Sequence, residues 1–141
     1  MLPVMKALML VLAVVLVVGC GGSTLDLTAQ PELEKAIRKH LKETRGSMPT
    51  GELTKEDFDK VTKLSLSRRD LDDTALKEVA KLTRLKELYL HENQLTNVKG
   101  LENLTQLTDL HLNNNPALTK AQIDQLQKAL PKCEIYHDAS K

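Results

Sequence analysis

The sequence predicts an α/β fold: a short solenoid of stacked strand-plus-helix coils, parallel strands on its concave face and short helices on its convex face, closed at the amino end by a helical cap. Three observations lead there. Aliphatic residues recur with a period, since Val61, Leu85, Leu107 and Leu130 align at offsets of 24, 22 and 23 residues. Within each period the spacing switches from two, as in Leu64/Leu66, Leu88/Leu90, Leu110/Leu112 and Cys133/Ile135, to helical, as in Leu76, Val79, Ala80, Leu82 and then Ile123, Leu126, Ala129. Finally, 141 residues allow one small domain, and a coil of this length cannot bury its own apolar side without neighbours.

The elements follow in chain order. Residues 1–19 read as an export signal: Ala7 to Val18 is an unbroken apolar run of twelve after Lys6. A spanning helix needs roughly twenty apolar residues, the core of a signal roughly seven to fifteen. An uncleaved anchor is the alternative. Residues 20–30, beginning Cys20-Gly21-Gly22-Ser23, read as a flexible tether. Residues 31–60 form the helical cap. Pro31 stands at a first helical position, Glu32 and Glu34 come early, and Arg38, Lys39, His40 and Lys42 come late, with Leu33, Ala36, Ile37 and Leu41 on one face and Gly46 as terminator. Thr54 and Asp57 make a second helix start with a Leu53 to Phe58 staple. The coils occupy 61–136, the last helix opening at Thr119 and Gln122, and 137–141 form a tail.

Two segments resemble known families. Val17-Val18-Gly19-Cys20 resembles the lipobox of bacterial lipoproteins, with Val17 where that family favours leucine. The resemblance implies cleavage before Cys20 and acylation of Cys20 by palmitate-type chains, with an outer-membrane address implied by Gly21 in a cell with two membranes. Removal of nineteen residues leaves nineteen charges of each sign. Leu85-x-x-Leu88-x-Leu90-x-x-Asn93-x-Leu95, repeated as Leu107-x-x-Leu110-x-Leu112-x-x-Asn115, resembles leucine-rich repeat proteins. The Pro31-x-Leu33-x-x-Ala36-Ile37 and Leu53-Thr54-x-x-Asp57 segments are similar to the helical cap of internalin-like members. Arg69 stands where the repeat has asparagine, so the first turn is expected to be held by Asp70 or Asp72. Asn115-Pro116-Ala117-Leu118 displaces the next leucine by one residue and predicts a bulged turn.

Composition excludes several functions. Twenty basic side chains against nineteen acidic ones, with no Trp, leave neither a basic stripe nor a stacking platform, so no nucleic-acid partner is expected. Two cysteines make no Cys-rich zinc site, and nucleotide, hydrolase and zinc-protease motifs are absent from the sequence, so no cofactor is expected. Outward strand positions form three columns: Lys63, Glu87, Asp109, Lys132; Ser65, Tyr89, His111, Glu134; and Ser67, His91, Asn113, Tyr136. Glu87, Tyr89, His91, Asp109, His111, Asn113, Glu134 and Tyr136 are the candidate binding residues, because tyrosine and histidine on a rigid sheet give amphipathic contact area at low entropic cost.

The reading is therefore a non-enzymatic, membrane-tethered interaction module of the cell envelope, binding a protein or surface polymer on this face and the membrane through Cys20. The alternatives are a small envelope hydrolase built on Ser67, His91 and Asp109, a metal-binding protein using Glu87, Asp109, His111 and His91, or a purely architectural envelope protein. The edge of the last strand, Cys133 to Tyr136, is expected to be either a second docking route or shielded by the charged tail 137–141. Cys133, read as an inward strand position, is either an inert filler or a thiol for intermolecular disulfide formation.

Overall fold

The computed structural model describes residue 27, residues 30–47 and residues 49–140. The export segment 1–19, Cys20 and most of the tether lie outside the described residues. The helix α1 (Pro31–Arg45) ends at Gly46, whose φ of 77° is the left-handed conformation that a terminating glycine adopts without strain. It buries Leu33, Ala36, Ile37 and Leu41, the face anticipated from spacing. A short helix α2 (Lys55–Phe58) follows, with the Thr54 and Asp57 capping box complete. Arg45 reaches across from α1 to Asp57 at 2.6 Å, and Arg38 binds the Pro49 and Gly51 carbonyls, fastening the intervening loop.

Four three-residue strands then build one parallel sheet in sequence order: β1 (Lys63–Ser65), β2 (Glu87–Tyr89), β3 (Asp109–His111) and β4 (Glu134–Tyr136). Between them lie α3 (Asp73–Val79), a 3-10 turn (Leu101–Asn103) and α4 (Lys120–Ala129). Register places Leu64, Leu88, Leu110 and Ile135 side by side. These residues, with Leu66, Leu90, Leu112 and the helical leucines, form one continuous core from Leu33 to Cys133, Ile135 being half-buried against it. Burying a leucine side chain contributes about 1.5–3 kcal/mol, and no coil here could gain that alone. Ala129 departs from its expected inward place: it is exposed beside Val98 and Leu126 along an open groove between the 3-10 turn and α4.

Asparagines hold the turns. The Asn93 side-chain oxygen accepts from the Arg69 and Leu71 amides, and its nitrogen donates to the Leu66 and Leu90 carbonyls, at 2.9–3.1 Å. Asn115 repeats this, accepting from Leu95 and donating to Leu90 and Leu112. Each amide thus serves its own coil and the one before it. That corrects the expectation for the first turn: Asn93 of the next coil holds it, while Asp72 caps α3 through the Thr74 amide and Asp70 accepts from Gln94. Arg69, freed from the asparagine role, ion-pairs with Glu32 of α1 and binds the first coil to the cap. Every turn leaves its strand through a left-handed residue, Arg68, Glu92 or Asn114, at φ of 56–59°. Such conformations cost roughly 1 kcal/mol each for non-glycine residues, which the asparagine bonds offset. On the helical side the Asp73 carboxylate accepts from the Thr96 and Asn97 amides, stitching the first coil to the second. Gly100, at φ 99°, passes where a Cβ would lie 3.3 Å from Ala80.

The last strand is placed differently from the expectation. Aligning Leu130 with Leu107 put Cys133 opposite Leu110, but Ile135 pairs with Leu110 and Glu134 with Asp109. The Cys133 amide closes on Leu130 as Leu107 closes on Leu104 and Leu85 on Leu82. Cys133 therefore stands in the place of Leu107, just before the strand, and from that position to the strand is one residue shorter than in the preceding coil, although the strand itself lies two residues later than the alignment put it. The thiol is buried, and burial, with Asp109 nearby, pushes its pKa up to about 11. That supports the inert-filler reading, since the thiolate is the reactive form.

Replacing Asn93 by Ala strands the Arg69 and Leu71 amides and the Leu66 carbonyl, while the Leu90 carbonyl keeps its bond from Asn115, and at about 1 kcal/mol or more for each unsatisfied group the loss in urea-unfolding free energy should reach about 3 kcal/mol. A loss below about 1 kcal/mol would contradict the stitching role. The Asp57 carboxyl is held below its ordinary value of 3.8, first by the Thr54 amide and then by the Thr54 hydroxyl and Arg45, against the opposing effect of burial. A depressed folded-state pKa gives stability that is fully present above the unfolded value and lost as pH falls through the folded one. The difference in melting temperature between the protein and Asp57→Asn should therefore be constant near neutrality and shrink below about pH 4.

Candidate functional site

The solvent side of the sheet carries the side chains that alternate with the buried leucines. The observed register sorts them into a carboxylate row, Glu87, Asp109 and Glu134 after Lys63, and a ring row, Tyr89, His111 and Tyr136 after Ser65. Tyr136 thus moves one column from its expected place beside Asn113, and Lys132 falls outside the strand. The shift has a chemical consequence. Tyr89 and His111 stack with ring centroids 4.6 Å apart and an interplanar angle of 14°, and His111 and Tyr136 stack at 4.4 Å and 12°. Three rings stand as a ladder, each on its own strand, at close to the spacing of the strands themselves.

One end of the ladder is closed by Lys63, whose Nζ lies 5.2 Å from the Tyr89 ring centroid and 2.6 Å from Glu87 Oε2. Tyr89 donates its hydroxyl to that same oxygen at 2.9 Å. Lys63, and then Tyr89, hold the Glu87 carboxyl below the ordinary carboxylate range, and Glu87 in turn raises Lys63. At the other end, hydrogen bonding to Glu134 raises the Tyr136 phenol. Beyond the ring row, Ser67 Oγ lies 3.0 Å from His91 Nδ1, and Arg68 makes a two-pronged pair with Glu92 at 2.8 Å on both arms. The Asp138 carboxylate accepts from the Asn114 amide, so the chain after β4 still follows the coil.

The structure gathers Glu87, Tyr89, Asp109, His111, Glu134 and Tyr136 into one patch, with His91 and Asn113 on its flank where the strands enter their turns. Among the described residues, Asp109, Glu134 and Asp138 take part in no ion pair with a Lys or Arg. Lys63 belongs to this patch although the candidate residues did not include it: it was visible as the head of the first outward column, but its contact with a ring on the next strand needed the register. Among the described residues no group of three or more His, Cys, Asp or Glu side chains converges in a way that could hold a metal ion, so Glu87, Asp109, His111 and His91 are not brought together as ligands. No helix among the described residues is long and apolar enough to cross a membrane. The solvent side of the sheet thus presents a row of stacked rings beside a row of carboxylates.

Residues 83–128 match the family model for leucine rich repeats, in two copies. Among solved structures, the chain is similar to internalin C2 from Listeria monocytogenes strain 4b F2365, with a TM-score of 0.55 and 23% sequence identity over 79% of this chain and 57% of that one. The chain thus spans little more than half the length of that structure. No curated protein matches the sequence.

Proposed function

We propose that this chain, a leucine-rich repeat protein of internalin-like fold, is a membrane-tethered lipoprotein that binds a protein partner at the cell envelope through the exposed face of its sheet. Leucine-rich repeats are a protein-interaction architecture, and the observation that carries the assignment to this face is the ladder of Tyr89, His111 and Tyr136 beside the row of Glu87, Asp109 and Glu134. Stacking immobilises the rings before a partner arrives, so little side-chain freedom is lost on binding. Four strands at about 4.8 Å span only roughly 15 Å, short of a standard interface of about 800 Å² per partner. Modest affinity assisted by tethering is the mode that fits, because acylation of Cys20 confines the chain to a surface and raises its local concentration. The lipoprotein assignment rests on the apolar run before Gly19-Cys20-Gly21.

One observation favours a second reading, a small hydrolase: the 3.0 Å contact between Ser67 Oγ and His91 Nδ1. Among the described residues His91 is hydrogen-bonded to no carboxylate, whereas nucleophile activation calls for an oriented base. Ester turnover abolished by Ser67→Ala with folding intact would establish that reading over ours.

A photoreactive residue at position 113 should capture a discrete protein partner in cells. Capture should drop at least fivefold in the Tyr89→Ala, His111→Ala double variant, provided its melting curve is unchanged; equal capture would overturn the binding face. The intact mass of the membrane-extracted protein should show loss of nineteen residues and addition of acyl chains on Cys20, and an unmodified full-length mass would refute the lipoprotein assignment.

A further inference from the structure

We propose that Glu134 and Tyr136 form a cation site that takes the lysine or arginine side chain of an extended partner segment adding as a strand to the outer edge of β4. The molecule already contains the recognition mode. On β2, in the segment Glu87-Leu88-Tyr89, the acid and the ring share Lys63: its Nζ is 2.6 Å from Glu87 and 5.2 Å from the ring centroid of Tyr89, whose hydroxyl donates to the same carboxylate oxygen. On β4 the segment Glu134-Ile135-Tyr136 repeats acid, aliphatic and ring, and pairing through β3 puts each member in register with its counterpart on β2. Glu134 pushes the pKa of the Tyr136 phenol up.

The two ends of the ring ladder differ in what meets them. Lys63 covers the outer face of Tyr89, while Tyr136 has His111 on one face and no ring or cation on the other among the described residues. Tyr136 is also the large apolar side chain left exposed among the described residues, at 37%. The surrounding charge has one sign: Glu134, Asp109 and Asp138 are in no Lys or Arg pair among the described residues.

The strand edge explains how a cation would be delivered. β4 is the terminal strand of the sheet, and in a parallel ladder alternate residues face alternate neighbours. The Glu134 amide donates to Thr108 and the Tyr136 carbonyl accepts from Leu112, both toward β3, so the backbone groups of Ile135 are directed to the outer edge. An extended segment pairing there lies about 4.8 Å away. Its side chain in register with Glu134 then stands to Glu134 and Tyr136 as Lys63, in register with Glu87, stands to Glu87 and Tyr89. A second copy of this chain suits the edge less well: an antiparallel pairing centred on Ile135 sets Tyr136 opposite Glu134 and gives the ring no cation. The inference rests on the reading of the sheet as a protein-binding surface and names the chemistry of what one end of it accepts.

The test uses the full chain, isotopically labelled, in a neutral detergent micelle, titrated with an acetylated and amidated threonine-valine-lysine-valine-threonine peptide and its arginine and norleucine counterparts. Shifts should centre on Glu134 to Tyr136 with both cationic peptides, and norleucine should weaken binding about tenfold, the scale of a cation shared by a ring and a carboxylate. Tyr136→Leu and Glu134→Gln should each weaken the lysine peptide about three- to tenfold, while Tyr136→Phe should retain binding and Glu56→Gln, on α2 away from the sheet, should leave it unchanged. Equal affinity for lysine and norleucine, shifts remote from β4, no binding, or self-association through β4 that Ile135→Pro abolishes would each overturn the proposal. Because partner capture from position 113 is read independently, loss of peptide binding with capture intact removes the cation site alone, and loss of both removes the binding face as well.

Discussion

No coil of this protein can bury its own leucines, and that constraint organises everything else. A three-residue strand with a short return segment has one apolar side and two raw edges. It becomes stable only when the next coil is laid against it in register, so that Leu64, Leu88, Leu110 and Ile135 share one dry spine. The asparagine amides make the same point in polar form. Asn93 satisfies carbonyls on two successive coils with one side chain, and Asn115 does so one step further along. Hydrophobic burial makes stacking favourable; the amides fix its pitch, because they reach both coils at only one separation.

The first coil has no predecessor, and its side facing the amino terminus must be closed by something other than a repeat. Helix α1 supplies the apolar cover through Leu33, Ile37 and Leu41, and Arg69, standing where a repeat asparagine would be, joins Glu32 on that helix. A departure from the repeat pattern is thus the point of attachment for the cap. The Arg45 and Asp57 pair and the capping box at Thr54 then hold α2 against the same end. Arg69 and Arg45 each find a carboxylate on a neighbouring element here, while Asn93 and Asn115 join the middle coils with uncharged amides.

Regular stacking also shapes the solvent side. Strands one hydrogen-bonded step apart bring outward side chains to stacking distance, so rings in one column become a ladder without any dedicated packing around them. Carboxylates in the neighbouring column are likewise held close together, which is unfavourable unless cations intervene. Lys63 intervenes at Glu87; toward β4 the acids face solvent. The face therefore has a direction, neutralised at the β1 end and acidic with an open ring at the β4 end. This polarity, more than any single residue, distinguishes it from a generic polar strand surface.

Much of this was legible in the residues because the signals were local. The period of the leucines, the cap sequence Leu53-Thr54-x-x-Asp57 and the Pro31 to Gly46 helix depend on neighbours within a few positions, and they led to the observed elements. What failed was the last coil. Leu130 carried the same residue type as Leu107, so aligning them was natural, yet Cys133 takes the place of Leu107 and the strand begins at Glu134, two residues later than that alignment puts it. A strand of three residues holds too little pattern to reveal such a slip, and only hydrogen bonding to β3 decides it. On that decision turned the position of Tyr136, and with it the ring ladder. The sequence alone determined that strands and helices alternate and which leucines of the coils face inward, because both follow from periodicity along one chain. Tertiary structure decided which side chains meet across coils, because register is set by bonds between segments more than twenty residues apart.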